Sequence, residues 1–149
     1  MKPILILMVG VQGSGKTTIA KKLAKMSNFV RVGVDDIKEM IGDSCEEKKK
    51  IRRHIQYLLV SELLKDGYNV ILDRMALSKE TRKSIIDRYR QLASKIIAVF
   101  VNPPLDVSFK RNQNRPNPVS YESYIEHLED FEHPSKDEGF DEIIEVENA

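Results

Sequence analysis

The chain has 149 residues, 41% of them hydrophobic, which suits one α/β domain with its own core and excludes a motor-type ATPase with accessory domains. With 24 Lys+Arg against 23 Asp+Glu the formal net charge is +1, so no global basic field attracts nucleic acid, and any such contact must come from a local patch. One cysteine, Cys45, excludes an intramolecular disulfide framework, and the first apolar run is too short to span a bilayer or to serve as a signal peptide; a cytoplasmic protein without a membrane partner is expected.

Residues 4–9 (Ile-Leu-Ile-Leu-Met-Val) read as a buried strand that breaks into Gly10-Val11-Gln12-Gly13-Ser14-Gly15-Lys16-Thr17-Thr18. The spacing Gly10-x-x-x-x-Gly15-Lys16-Thr17 in strand, turn and helix context predicts a phosphate-binding P-loop. Gly10, Gly13 and Gly15 let the backbone wrap with its N–H groups inward, and the next helix turns its positive end to the same anion. Lys16 is placed to reach the β- and γ-phosphates of ATP or another NTP, and Thr17 to offer a hydroxyl to Mg²⁺.

Ile19, Ala20, Leu23 and Ala24 mark one face of the first helix. A second strand is expected at 29–34, followed by Asp35-Asp36 and a short helical segment from Ile37 to Ile41. Ser44-x-x-Glu47 reads as a capping box for a long helix with an apolar stripe of Ile51, Ile55, Leu58, Leu59 and Leu63, ended by Asp66-Gly67. A third strand at 69–72 runs into Asp73-Arg74. Ser78 caps the next helix, whose apolar positions are Ile85, Ile86, Tyr89 and Leu92. Strands at 96–101 and 143–146 follow, separated by the proline-marked stretches Pro103-Pro104 and Arg115-Pro116-Asn117-Pro118. The alternation predicts an α/β fold: one domain over 1–149, with a five-stranded parallel sheet flanked by helices and a short helical lid at about 104–120.

Reactive groups in such a sheet collect at the carboxyl ends of the strands, which singles out Asp35, Asp36, Asp73 and Arg74. Asp35 or Asp36 either caps the following helix or accepts the proton of an attacking hydroxyl; their pairing suggests that one does each. Asp73 is a turn signal or a group near the metal and the acceptor. Arg111 and Arg115, four apart, would project from one face of a helix, as a solvated basic face or as a clamp on the donor's phosphates. The runs Lys48-Lys49-Lys50 and Arg52-Arg53, and Lys79, Arg82, Lys83, Arg88 and Arg90, read either as solvated helix faces or as polyanion contacts. His54, His127, His133 and Cys45 have no metal-ligand spacing, so no metal beyond Mg²⁺ is expected.

On these residues the chain resembles the polynucleotide 5′-hydroxyl kinase family, within the small P-loop kinases, almost from end to end. Gly10 to Thr18, with Ser14 and Thr18 among the nucleotide-binding residues, matches the family's P-loop. Asp35-Asp36-Ile37-Lys38 is similar to its Asp-Asp-x-Arg segment, which implies that Asp35 is the general base. Leu72-Asp73 resembles the strand end that helps hold the acceptor. Arg111-Asn112-x-x-Arg115 resembles the lid, which implies that Arg115 engages the donor phosphates. Phe131-Glu132-His133-Pro134 through Glu138-Gly139-Phe140-Asp141 is similar to the closing segment of eukaryotic and related kinase domains. The chain departs from the family at Lys38, where the phage-type kinase has an arginine, and at Arg74-Met75, and no accompanying phosphatase or ligase domain is expected.

The resemblance implies a Mg²⁺- and ATP-dependent kinase, with Lys16, Asp35 and Arg115 catalytic and Lys38, Asp73 and Arg74 shaping the acceptor pocket. Its implied acceptor is the 5′-hydroxyl end of DNA or RNA. Two other readings stand beside it: a kinase for a nucleoside, a hydroxylated base in DNA or another small alcohol, and a nucleotide-binding switch or NTP hydrolase. The chain has no Asn-Lys-x-Asp segment for the last of these.

Overall fold

β1 (Ile4–Val9) is the middle strand of a sheet whose order is β2-β3-β1-β4-β5, every pair parallel. The computed structural model describes residues 2–26, 28–42, 45–116 and 118–147. After β1 come α1 (Lys16–Met26), β2 (Phe29–Gly33), α2 (Val34–Ile41), α3 (Glu46–Lys65), β3 (Asn69–Asp73), α4 (Lys79–Tyr89), β4 (Lys95–Val101), α5 (Leu105–Gln113), α6 (Tyr121–Asp130), a 3₁₀ turn (Lys136–Glu138) and β5 (Glu142–Val146). The expected five-stranded parallel α/β architecture is therefore present, with every strand within a residue of its expected bounds. α6 was not anticipated from the sequence.

The strand period of two divides the core. Leu5, Leu7 and Val9 face α3 and α4 with Val70, Leu72, Ile96, Ala98 and Phe100, while Ile6 and Met8 face α1 with Ile71, Val99 and Val101. Each fully buried Leu or Ile stabilises the fold by roughly 1.5–3 kcal/mol. This two-sided cover explains why β1 reads as an unbroken apolar run rather than an alternating one.

Three local expectations are corrected. The buried face of α3 is Gln56, Val60, Ser61 and Leu64, whereas Ile51, Leu58 and Leu59 of the expected stripe are exposed; Ile55 and Leu63 pack at its margin. Arg82, grouped by sequence with solvated or polyanion-binding cations, is fully buried. Leu92 lies beyond α4, although it still packs against the core. The capping box expected at Ser44 falls outside the described residues; among them α3 follows Cys45. The cap on α4 is as expected, with the Ser78 hydroxyl accepting from the Thr81 N–H at 3.1 Å.

Arg82 binds the closing segment to the loop after β3. Its Nε donates to Glu138 Oε1 at 2.6 Å, Nη1 to the carbonyls of Ala76 and Leu77, and Nη2 to the carbonyl of Glu132. Phe131 and His133 pack on Phe100, and Asp141 accepts from the Ile96 N–H at 2.8 Å. The segment that follows α6 therefore fixes the region just past Asp73.

Candidate active site

Between β1 and α1 the loop passes through Gly13 (φ 76°) and Gly15 (φ 96°), a region costly for any residue with a Cβ. The Ser14 N–H donates to the Val11 carbonyl at 3.2 Å and closes the turn. A Cβ at Gly10 would lie 2.6 Å from Ser14 Oγ and 2.9 Å from the Val101 carbonyl, so this position is set by close approach. The Ser14 hydroxyl is buried without a hydrogen-bond partner among the described residues.

Lys16 is only 8% exposed and makes no salt bridge among the described residues. Burial pulls its ammonium below the usual lysine range, against the pull of Asp73 and Asp35, and Arg115 adds to the lowering. A buried ammonium without a salt bridge and a buried hydroxyl without a partner are both costly, and both fit a group that brings phosphate oxygens. They border a cavity of about 360 Å³, also lined by Gln12, Thr17, Arg31, Asp35 and Arg115. The oxygen donors at its edge, Thr17 and the carboxylates, fit a hard cation such as Mg²⁺.

α5 closes one side. At Gly13 a Cβ would fall 2.0 Å from the Ser108 carbonyl and 2.9 Å from the Asn112 nitrogen, so the helix backbone rests directly on the loop. Arg111 Nη1 donates to the Ser14 carbonyl at 3.2 Å; Arg115 Nη1 donates to Gln12 Oε1, and its Nη2 is 3.9 Å from Asp35 Oδ2. The two arginines thus meet at the cavity, but not as neighbours on one helix. α5 ends at Gln113, and Arg115 lies past it in a turn, its N–H donating to the Asn112 carbonyl. The turn is pinned by buried Asn112, which donates to the Val119 carbonyl at 2.9 Å and accepts from its N–H at 3.1 Å.

Neither Asp35 nor Asp36 caps α2, as the sequence suggested one of them would. The N-cap is Gly33, and both carboxylates sit in the first turn, where the helix dipole favours negative charge. Arg31, in the middle of β2, separates them. It donates to Asp73 Oδ2 from Nε at 3.0 Å and Nη2 at 2.8 Å, and to Asp36 Oδ2 from Nη1 at 2.7 Å. Burial works against the Arg31 charge, but the hydrogen bonds to Asp73 and Asp36 outweigh it and raise its pKa. A Cβ at Gly33 would lie 2.5 Å from both Arg31 Nη2 and Asp36 Oδ2, so the guanidinium and its carboxylate pack directly over this glycine. Asp35 keeps 70% of its side chain exposed, and among the described residues its one ion-pair contact is the long one to Arg115. Sequence reading missed Arg31; its signal is a charged residue inside the apolar run Phe29–Gly33.

Of the four residues expected around the acceptor, Asp35 lines the cavity and Asp73 adjoins it through Arg31. Lys38 is exposed on α2 outside the lining, and Arg74 faces a separate groove between α3 and α4.

A P-loop at the carboxyl edge of a β2-β3-β1-β4-β5 parallel sheet, overlaid by arginines carried after β4, is the fold of the small P-loop kinases. The AAA domain family (AAA_33) matches residues 5–132, and the chain belongs to it. Over 137 residues it is 23% identical to the L-seryl-tRNA(Sec) kinase of Methanococcus maripaludis, covering 88% of this chain and 53% of that protein. Over 100 residues it is 31% identical to the cytidylate kinase of Caldanaerobacter subterraneus subsp. tengcongensis, covering 62% of this chain and 43% of that one. The chain thus spans about half the length of the curated relatives it matches. Among solved structures it superposes on a chain of the Pnkp1/Rnl/Hen1 RNA repair complex with a TM-score of 0.78 and 28% identity, covering 87% of this chain and 44% of that one. No described helix is long and apolar enough to cross a membrane.

Proposed function

We propose that the protein transfers the γ-phosphoryl group of ATP, or another NTP, to the 5′-hydroxyl end of DNA or RNA. One observation carries the mechanism: Arg31 hydrogen-bonds one carboxylate oxygen each of Asp36 and Asp73, so of the two aspartates lining the P-loop cavity, Asp35 is the one without a hydrogen-bonded cation among the described residues. In the proposed reaction Asp35 accepts the proton of the attacking hydroxyl as its oxygen bonds to the γ-phosphorus. The bond from that phosphorus to the bridging oxygen breaks, leaving the nucleoside diphosphate. Lys16, already desolvated, and Arg115, held at the cavity mouth, act on the charge of the transferring group. The P-loop from Gly10 to Thr18 and Arg111 bind the donor. Thr17 would hold Mg²⁺, which supplies charge neutralisation on the donor's phosphates. The family resemblance and the likeness to the RNA repair complex chain support a nucleic-acid acceptor.

Incubation with γ-labelled ATP, Mg²⁺ and a panel of 5′-hydroxyl oligonucleotides and nucleosides tests the acceptor. Label is expected on strand ends; label confined to nucleosides or other small alcohols would refute the nucleic-acid acceptor. D35N should lower kcat by about 10²–10⁴-fold while the Kd for ATP stays within about twofold, because the carboxylate acts on the acceptor's proton. Turnover at the wild-type rate in D35N would remove the assigned base.

A further inference from the structure

The groove between α3 and α4 holds about 990 Å³ and opens at Val34 and Arg74, the residues that follow β2 and β3. It therefore begins beside the edge where Asp35 and Asp73 stand. Lys49, Arg52, Arg53, Arg74 and Arg88 line it against one acid, Glu80, in a chain whose total charge is almost balanced.

Its floor carries unmet polar groups. Arg74 is half-buried, with no hydrogen bond or ion pair among the described residues. Burial pulls its guanidinium below the usual arginine range, and nearby Arg53 and Arg88 push the same way although Tyr89 opposes them. The Tyr89 hydroxyl is buried and faces the Gln56 side chain. Arg88 is held over the Tyr57 ring at 5.2 Å, and Tyr57 stacks on Tyr89, so part of the cationic wall is fixed in advance. Converging guanidiniums with little acid among them repel one another in the empty groove, and an anion with several acceptor oxygens relieves both the repulsion and the unmet donors.

We infer that this groove, through Arg53, Arg74 and Arg88, is the track for the sugar–phosphate backbone of the acceptor strand, downstream of the hydroxyl being phosphorylated. The inference rests on the 5′-hydroxyl reading. It predicts an enzyme that prefers longer strands for electrostatic reasons, since each nucleotide laid along the groove brings another phosphate to a cation. A mononucleotide would leave most of the groove unused.

The test measures KM for 5′-hydroxyl single strands from dinucleotide to dodecamer, for the wild type, R53A/R88A and K25A/K65A. The last removes the same charge from exposed positions outside the groove. Wild-type KM should fall about tenfold with length, and the fall should shrink to about twofold in R53A/R88A while persisting in K25A/K65A. The slope of log KM against log salt for the dodecamer should drop by roughly 1 to 1.5 in R53A/R88A, reflecting two lost phosphate contacts. Both arginines are exposed, and thermal melting verifies the fold of the variant. Wild-type KM independent of length, or R53A/R88A with undiminished length and salt dependence, overturns the track while leaving the 5′-hydroxyl reading intact. Absence of label on every 5′-hydroxyl strand with the wild type removes the reading itself, and the track with it.

Discussion

Lys16 is buried with no salt bridge among the described residues, so without a bound anion it should weaken the protein it belongs to. Replacing it in K16M removes a desolvated charge and keeps an unbranched apolar stem. The unliganded variant should melt about 2–4 °C above wild type, corresponding to roughly 1 kcal/mol, and should lose the rise in Tm that ATP produces. The pH dependence has a definite sign. The folded pKa is lowered, so the unfolded chain binds more protons and the penalty is greatest below the folded pKa. It disappears as pH climbs toward the ordinary 10.5, and the advantage of K16M should shrink over the same range. Melting curves with and without ATP across that range measure both effects; an unliganded K16M less stable than wild type would contradict the assignment. Arg31, by contrast, has its partners: it hydrogen-bonds Asp36 and Asp73 and so distinguishes both from Asp35.

At the scale of elements, the loop after β3 owes its shape to an ion pair drawn from the far end of the chain. Arg82 on α4 meets Glu138, 56 residues away, while donating to the carbonyls of Ala76, Leu77 and Glu132. Removing one partner leaves a buried carboxylate and three orphaned carbonyls, so R82M should cost about 3–5 kcal/mol in urea unfolding. R82K should recover only part of this, because one ammonium cannot reproduce a planar fork with five donors. A loss below about 1 kcal/mol in R82M would mean that the loop is held by apolar packing instead. The contact of α5 with the P-loop is similarly specific: Gly13 leaves room for the Ser108 carbonyl, and this close fit brings Arg111 to the Ser14 carbonyl.

Across the whole molecule, the closing segment acts as a strap joining β4, α4 and the sheet edge. Asp141 accepts from Arg90 Nη1 and the Ile96 N–H, both at 2.8 Å, and these bonds hold its carboxyl below the usual carboxylate range. A depressed carboxylate contributes its full stability above the unfolded pKa and loses it as pH falls through the folded one. D141N should therefore be less stable at neutral pH and show a shallower loss of Tm below about pH 4, as melts from neutral to acidic pH would reveal. Equal acid sensitivity in both proteins would place the titrating group elsewhere.

The five strands, the glycine-bearing P-loop and the Ser78 cap were legible in the sequence because each depends on residues within one or two turns of the chain: a period of two, a spacing of glycines, a hydroxyl three residues before an N–H. The exposed half of the α3 stripe, the position of Arg115 beyond its helix, the pairing of Arg31 with Asp73 and the burial of Arg82 were decided by tertiary structure. A long charged side chain is buried only where partners from distant segments satisfy it, and Arg31 with Asp73, 42 residues apart, leaves no local pattern to read. The P-loop was therefore readable from local spacing alone, whereas packing decided that Arg31 hydrogen-bonds Asp36 and Asp73 but not Asp35.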